Sequence, residues 1–274
     1  MILSPSLLAS PAIAQNKFDE LEARLKQVGA MKDQNALTRI AITEEYPLVR
    51  AKALSLVTAQ TNIAKIAIES QGFDTALTAS RRVRDPALLE KVAMESKHAN
   101  SRMIVYDKLS DEAQGRVATR AKHEQMRSYA AGKLTDLNLL SRMAADKDES
   151  VRKRAADRIK QLEDQIEKTI KDASLSAADG SRLKRAHRLN DQAELARLAT
   201  TDPIVQIRLA TAGRVTDQAV LKKIMLEEKE EMVRLTALRR VEDQALLAQV
   251  ASKDPSQLIR NLAALRIKDK EERD

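Results

Sequence analysis

The sequence predicts an all-α chain of stacked antiparallel helix pairs, an α-solenoid, and three observations carry that prediction. The C-terminal region says the same thing twice: Asp217-Gln218-Ala219 returns as Asp243-Gln244-Ala245, Arg234 as Arg260 and Arg240 as Arg266, each 26 residues on. A period in this range marks repeat architectures. Of the 274 residues 43% are apolar but only 2% aromatic, so alanine and the aliphatics must fill the core. That composition suits helix packed on helix rather than strands rich in aromatic and β-branched residues. Within each repeat, the apolar spacing follows one face of a short helix.

Residues 1–15 carry no charge, and Ala12-Ile13-Ala14 before Gln15 has the small-x-small pattern that signal peptidase cuts. A basic n-region is absent, and Pro5 and Pro11 interrupt the apolar run, so this stretch is expected to be a signal peptide or a disordered leader. With a signal, the protein is exported to the periplasm or beyond; without one it is cytoplasmic. Residues 16–30 put Phe18, Leu21, Leu25 and Val28 on one helical face and are expected to form an N-terminal cap helix.

From Asp33 the repeat marker recurs at Ala59, Asp85, Asp111, Asp136, Gln161, Asp191, Asp217, Asp243 and Asp269, in steps of 26, 26, 26, 25, 25, 30, 26, 26 and 26. Four residues after the marker stands Leu37, Ile63, Leu89, Leu140, Leu195, Leu221 or Leu247, and three further on Ile40, Ile66, Val92, Met143, Leu198, Ile224 or Val250. This is the inner stripe of a first helix whose leading Asp caps its exposed N–H groups. A second helix follows, carrying Ile207, Thr211, Ala212 and Val215 in one repeat and Val233, Ala237, Leu238 and Val241 in the next. Its start is predicted at Asp202-Pro203 and Asp254-Pro255, an N-cap acid with proline where no amide hydrogen is needed. One pair cannot bury its own stripe; stacked neighbours can.

The pattern is expected to break between Glu149 and Asp172, where no Gly or Pro occurs and Val151, Ala155, Ile159, Leu162, Ile166 and Ile170 continue the stripe. Two repeat helices would fuse there, with a change of direction near Gly180. The expected division is therefore a leader at 1–15, a cap helix and repeats 1–5 at 16–160, repeats 6–9 at 161–268, and a polar tail at 269–274.

An acid followed six residues later by Arg, with a β-branched residue just before the Arg, occurs at Asp146/Val151-Arg152, Asp202/Ile207-Arg208, Glu228/Val233-Arg234 and Asp254/Ile259-Arg260. These units resemble the second half of a HEAT repeat, over about residues 31–268, although each unit is shorter than usual for that family. The resemblance implies a right-handed HEAT-like solenoid whose arginines form a ladder with acids at helix starts of the same or adjoining units. It also implies a non-enzymatic scaffold for protein–protein interaction.

The arginine column reads Arg50, Ala76, Arg102, Arg127, Arg152, Arg182, Arg208, Arg234, Arg260. Six residues later runs a second basic column: Arg82, Lys108, Lys133, Arg158, Arg188, Arg214, Arg240 and Arg266. These sit at the ends of second helices, where cations suit the dipole. Sixteen cations in the two columns face thirteen acids at matching positions, so a polyanion track is not expected despite the net charge of +8. Arg102, Arg127 and Arg182 follow Ser96, Ala121 and Ser176, where other units have an acid. With Tyr106 and Tyr129, these three arginines are the predicted partner-binding residues.

Nothing points to an enzyme. The absence of cysteine excludes thiolate chemistry, and the six glycines are scattered rather than gathered into a phosphate loop. His98 and His123 occupy equivalent places without further metal ligands at matching positions, and His187 stands beside Arg188 with no nucleophile to serve. No catalytic residue, cofactor or metal is expected. The partner is expected to be an unidentified protein, the chain a monomer, and no segment spans a membrane. Nucleic-acid binding is the alternative, as in the HEAT-like alkylpurine DNA glycosylases, and a HEAT-like lyase or glycosylase-type enzyme is the third; both lack the aromatic or catalytic side chains they need.

Overall fold

A computed structural model describes residues 11–271, which form eighteen helices, with no strand among the described residues. The first ten residues, on which most of the expected signal peptide falls, and the last three lie outside the described residues. The chain divides into two compact units: one runs to Lys133 and takes in Lys147–Val151; the other comprises Leu134–Asp146 and Arg152–Asp274.

In the first unit, α1 (Pro11–Gly29) precedes four pairs: α2 (Gln34–Thr43) with α3 (Pro47–Leu56), α4 (Gln60–Glu69) with α5 (Phe73–Arg82), α6 (Pro86–Glu95) with α7 (Ala99–Tyr106), and α8 (Asp111–Arg120) with α9 (Glu124–Lys133). First helices α2, α4, α6 and α8 pack in one row, and α1, α3, α5, α7 and α9 in the other. Helix α1 thus heads the row of second helices. It starts five residues before the expected cap helix, and its apolar face is buried only near its end: Val28 is 3% exposed but Phe18 60%.

The second unit holds α10 (Leu137–Met143), most of α11 (Glu149–Asp172), α12 (Ala177–Arg188), and the pairs α13 (Gln192–Thr201) with α14 (Val205–Ala212), α15 (Gln218–Glu227) with α16 (Glu231–Leu238), and α17 (Gln244–Lys253) with α18 (Gln257–Glu271). The fused helix is α11, 24 residues long, because no Gly or Pro interrupts it. Its later turns, through Ile159, Leu162, Ile166 and Ile170, pack into a core with Leu137, Leu183, Ala186 and Ile207. Gly180 in α12 lies against Ile170, so close that a Cβ would meet Cγ2 at 3.1 Å.

The two predicted apolar stripes are the core. Leu37, Ile63, Leu140, Leu195, Leu221 and Leu247 are buried on first helices, as are Ile207, Val233, Ala237, Leu238 and Val241 on or just after second helices. The caps follow the marker column with instructive departures. Asp33, Asp136, Asp217 and Asp243 each accept two backbone N–H groups, and Asp85 and Asp191 one each. At Asp111 the cap moves one residue back to Ser110, whose hydroxyl takes the Ala113 N–H. Asp269 falls inside α18 rather than at a helix start.

Asp202 and Asp254 do not cap second helices. Each is the C-cap of a first helix, and its carboxylate accepts the N–H two residues on, at 2.9 Å from Ile204 and 2.8 Å from Ser256. The tight turn so formed delays the second helix to Val205 and Gln257, and the prolines stand in that turn.

Ala59 is the N-cap of α4 in the same extended backbone as Asp33 but makes no side-chain bond. Ala59→Asp is expected to raise unfolding free energy in urea by about 0.5–1 kcal/mol, and Ser110→Ala to lower it by about 1 kcal/mol.

Candidate functional site: arginine ladders and the cleft beside them

Apart from Arg182, whose Nη1 donates to the Asp179 carboxylate, each arginine of the first column uses Nη1 to bond the backbone carbonyl six residues earlier, just past the end of its own pair's first helix. Arg102 reaches Ser96 at 2.6 Å, Arg127 Ala121 at 2.8 Å, Arg152 Asp146 at 2.9 Å, Arg208 Asp202 at 2.9 Å and Arg234 Glu228 at 3.0 Å. The other edge of the fork takes a carboxylate twenty residues later, from the next unit: Arg208 holds Glu228 through Nε at 2.7 Å and Nη2 at 3.2 Å, and Arg234 holds Asp254 at 2.9 and 3.1 Å. Arg182 pairs with Asp202 in the same way, and Arg127 with Asp148. Asp202, Glu228 and Asp254 therefore stand at first-helix ends of the following unit rather than at helix starts, whereas Asp148 directly precedes α11, where an acid at a helix start was expected. The planar guanidinium serves both from fixed edges, one nitrogen to the carbonyl and the other edge bidentate to the carboxylate, a geometry a lysine ammonium lacks.

The ladder begins earlier than the marker column. Arg24 on α1 pairs with Glu44 at 2.5 Å, and Arg24 lies 26 residues before Arg50, so the same periodicity carried this rung unnoticed.

Most of the second basic column caps the preceding unit's second helix, while Lys133 and Arg188 pair with the carboxylates of Asp107 and Glu163. Arg82 donates to the Leu54 and Val57 carbonyls of α3 at 2.5 and 2.6 Å, Arg214 to Ala186 and His187 of α12, Arg240 to Gly213, and Arg266 to Leu238. Helix C-termini leave carbonyls without intrahelical partners, and these cations meet them. A glutamine column adds a clamp: Gln34, Gln60, Gln192 and Gln218 each donate to a carbonyl 22 residues on and accept an N–H 24 residues on. Its sequence signal is the glutamine after the marker in Asp33-Gln34, Asp191-Gln192 and Asp217-Gln218.

In the first unit the ladder lapses. Ser70 and Ser96 occupy the acid position; each buried hydroxyl accepts the N–H two residues on and donates across to the previous first helix, at Ala41 (3.1 Å) and Ala67 (2.8 Å). The serines keep the turn but offer no charge. Arg50 bonds the Glu44 and Glu45 carbonyls at 2.6 and 2.9 Å and, among the described residues, pairs with no carboxylate; its Nε is buried without a partner. Its guanidinium rests on Gly72, where a Cβ would lie 2.5 Å from Nε. The next column position is Ala76, which supplies no guanidinium.

Beside Arg50 a cleft of about 410 Å³ opens between α3 and α5, lined by Pro47, Arg50, Ala51, Leu54, Ser55, Asp74, Thr75, Thr78 and Arg82. Across α5, a shallower depression of about 310 Å³ is lined by Leu77, Arg81, Asn100, Met103, Ile104, Asp107 and Tyr129. Exposed Leu48 and Phe73 stand on the same two helices as the cleft, and Phe73 meets the His98 ring edge-on at 6.0 Å.

The structure does not gather the five predicted partner residues on one accessible surface. Tyr106 is fully buried, edge-on to Tyr129 at 5.8 Å, and burial pushes its phenol far above the ordinary value. Arg102 and Arg127 are each 3% exposed and held by carbonyls, Arg127 also by Asp148, so neither presents a charge outward. Arg182 lies in the second unit, committed to Asp179 and Asp202. Tyr129 lines a concavity, its hydroxyl donating to Asp107 at 3.0 Å with the Lys133 ammonium 5.3 Å from its ring. Ladder arginines look unpaired when each unit is read alone, because their acids belong to the next unit.

Among the described residues no group of three or more His, Asp or Glu side chains could hold a metal, and no helix is long and apolar enough to cross a membrane. Compared with protein-family models, curated proteins and solved structures, the chain matches none.

Ion pairs differ in burial, and so in cost when broken. Arg234→Met leaves Asp254 buried and uncompensated and is expected to cost about 3–5 kcal/mol, whereas Glu163→Gln, at the Arg188–Glu163 pair that is half-exposed on both sides, costs at most about 1 kcal/mol. Urea unfolding of both variants measures the difference.

Stability also depends on pH. Burial, then the Arg214 guanidinium, holds His187 below the ordinary 6.5, and burial, Arg102 and Lys122 do the same for His123. The unfolded chain therefore binds protons first as pH falls, so stability decreases through about pH 6.5 and levels off beneath the folded values. Burial raises Glu228, but Arg208 and the backbone amides of Glu230 and Lys229 more than offset it, leaving the carboxyl below its ordinary 4.5. Its contribution is full above that value and disappears on further acidification. The urea midpoint is expected to fall between about pH 8 and pH 5.5, and to fall less in His123→Gln/His187→Gln.

Proposed function

We propose that the chain is a non-enzymatic, HEAT-like right-handed solenoid scaffold that binds another protein through the second-helix row of its first unit. The observation that carries this reading is the pair of neighbouring concavities flanking α5, one lined by α3 and α5, the other by α5, α7 and Tyr129 of α9. Extended surfaces built from successive repeats are what such arrays use for recognition. The first concavity adjoins exposed Leu48 and Phe73, and the second holds Tyr129, the kind of aromatic that interfaces favour. Signal-directed export, with the leader removed, accompanies this reading and is tested by the mature N-terminal mass of secreted protein.

Nucleic-acid binding has less support, because the basic columns are spent on helix-end carbonyls and on acids of neighbouring units. Double-stranded DNA is expected to show no salt-dependent mobility shift with the protein at physiological ionic strength.

The scaffold reading is tested by crosslinked affinity capture from native extracts, with partners identified by mass spectrometry. Met103→Glu, which puts a charge on the depression floor, is expected to lower recovery of the captured partner about tenfold without changing the urea midpoint. Equal recovery with wild type and variant sinks the assignment of this surface.

A further inference from the structure

We infer that the α3/α5 cleft is a carboxylate site, filled by an acidic side chain of a partner peptide that completes the ladder rung Ser70 leaves open; this deepens the scaffold reading and rests on it. The ladder itself supplies the chemistry. At the complete rungs of Arg208 and Arg234, an arginine anchored by one nitrogen to a carbonyl six residues back gives its remaining edge to a carboxylate, Glu228 and Asp254 respectively. Arg50 has the same anchor and, among the described residues, no acid.

Three further observations place the ligand. The cleft opens beside Arg50, and about 410 Å³ is enough for one extended side chain with its flanking backbone. Arg50 spends Nη1 on two carbonyls and pairs with no carboxylate among the described residues; Nε is buried against Gly72, so it is the charge of the guanidinium as a whole that a carboxylate in the cleft neutralises. Arg82, across the cleft, makes its hydrogen bonds to the Leu54 and Val57 carbonyls, so its positive charge is unneutralised there. Ala51 and Leu54 offer the aliphatic floor on which the methylenes of a glutamate lie, and the Ser55 and Thr78 hydroxyls edge it. Asp74 is the one acid lining the cleft and opposes an incoming carboxylate.

The probe is a short blocked peptide with one central glutamate among alanines and leucines, fluorescently labelled, against its glutamine twin and inorganic phosphate. Binding is followed by anisotropy, and the Arg50 Nε–Hε signal by ¹⁵N NMR. The glutamate peptide is expected to bind saturably and shift that signal, with the twin about tenfold weaker. Ala51→Glu fills the cleft with like charge at an exposed helix position outside the ladder and is expected to weaken binding about tenfold; Arg50→Gln does the same, and Asp74→Asn tightens it about threefold. Urea midpoints of Ala51→Glu and Asp74→Asn stay at the wild-type value, separating loss of binding from loss of fold.

Equal binding of the glutamine twin, wild-type binding by Ala51→Glu, or displacement of the peptide by equimolar phosphate each overturns the assignment, the last in favour of a small-anion site. If a captured native partner binds Ala51→Glu as it binds wild type, the cleft assignment fails and the scaffold stands; if no partner is captured at all, it is the scaffold that fails.

Discussion

Where the ladder is complete, a guanidinium with two obligations organises the helix pair. One nitrogen of Arg208 closes the end of its own first helix at Asp202, and its other edge holds Glu228 of the next pair. The first bond satisfies a carbonyl that the helix leaves without a partner, and the second sets the register between neighbours. The acid in turn ties down the N–H two residues on, so one side-chain chain of contacts links helix end, turn and neighbouring pair. Helices of eight to ten residues are marginal alone, and packing together with these bonds holds them.

The side-chain-to-backbone bonds recur at offsets of six, twenty-two, twenty-four and twenty-eight residues, so the polar register repeats with the apolar one. Leu195, Leu221 and Leu247 meet in the second unit's core while Asp191, Asp217 and Asp243 cap the helices carrying them. Apolar burial supplies the driving force without direction; the arginine, glutamine and aspartate columns supply direction. In the first unit serines keep the turns at Ser70 and Ser96 but drop the charge, and the cleft lies beside the arginine this leaves unneutralised.

Most of the fold was legible in the sequence because repetition lets the chain act as its own alignment. The first-helix caps, the two apolar stripes, the fused α11 and the lack of strands among the described residues follow from spacing and composition alone. Of the candidate site, only Tyr129 was found from the sequence; Arg50 and Arg82 were seen as columns, with no sign that a cleft lay between them.

What the sequence determined by itself was local: where a ten-residue helix begins, which face is apolar, and that an arginine and an acid recur in step. Whether Arg127 is free or held by Asp148, whether Tyr106 faces out or in, and whether Asp202 caps the helix after it or ends the one before were decided by tertiary structure. The physical reason is that each of these depends on the neighbouring helix pair. A side chain's partner twenty residues away is reached through a packing direction that no single unit encodes.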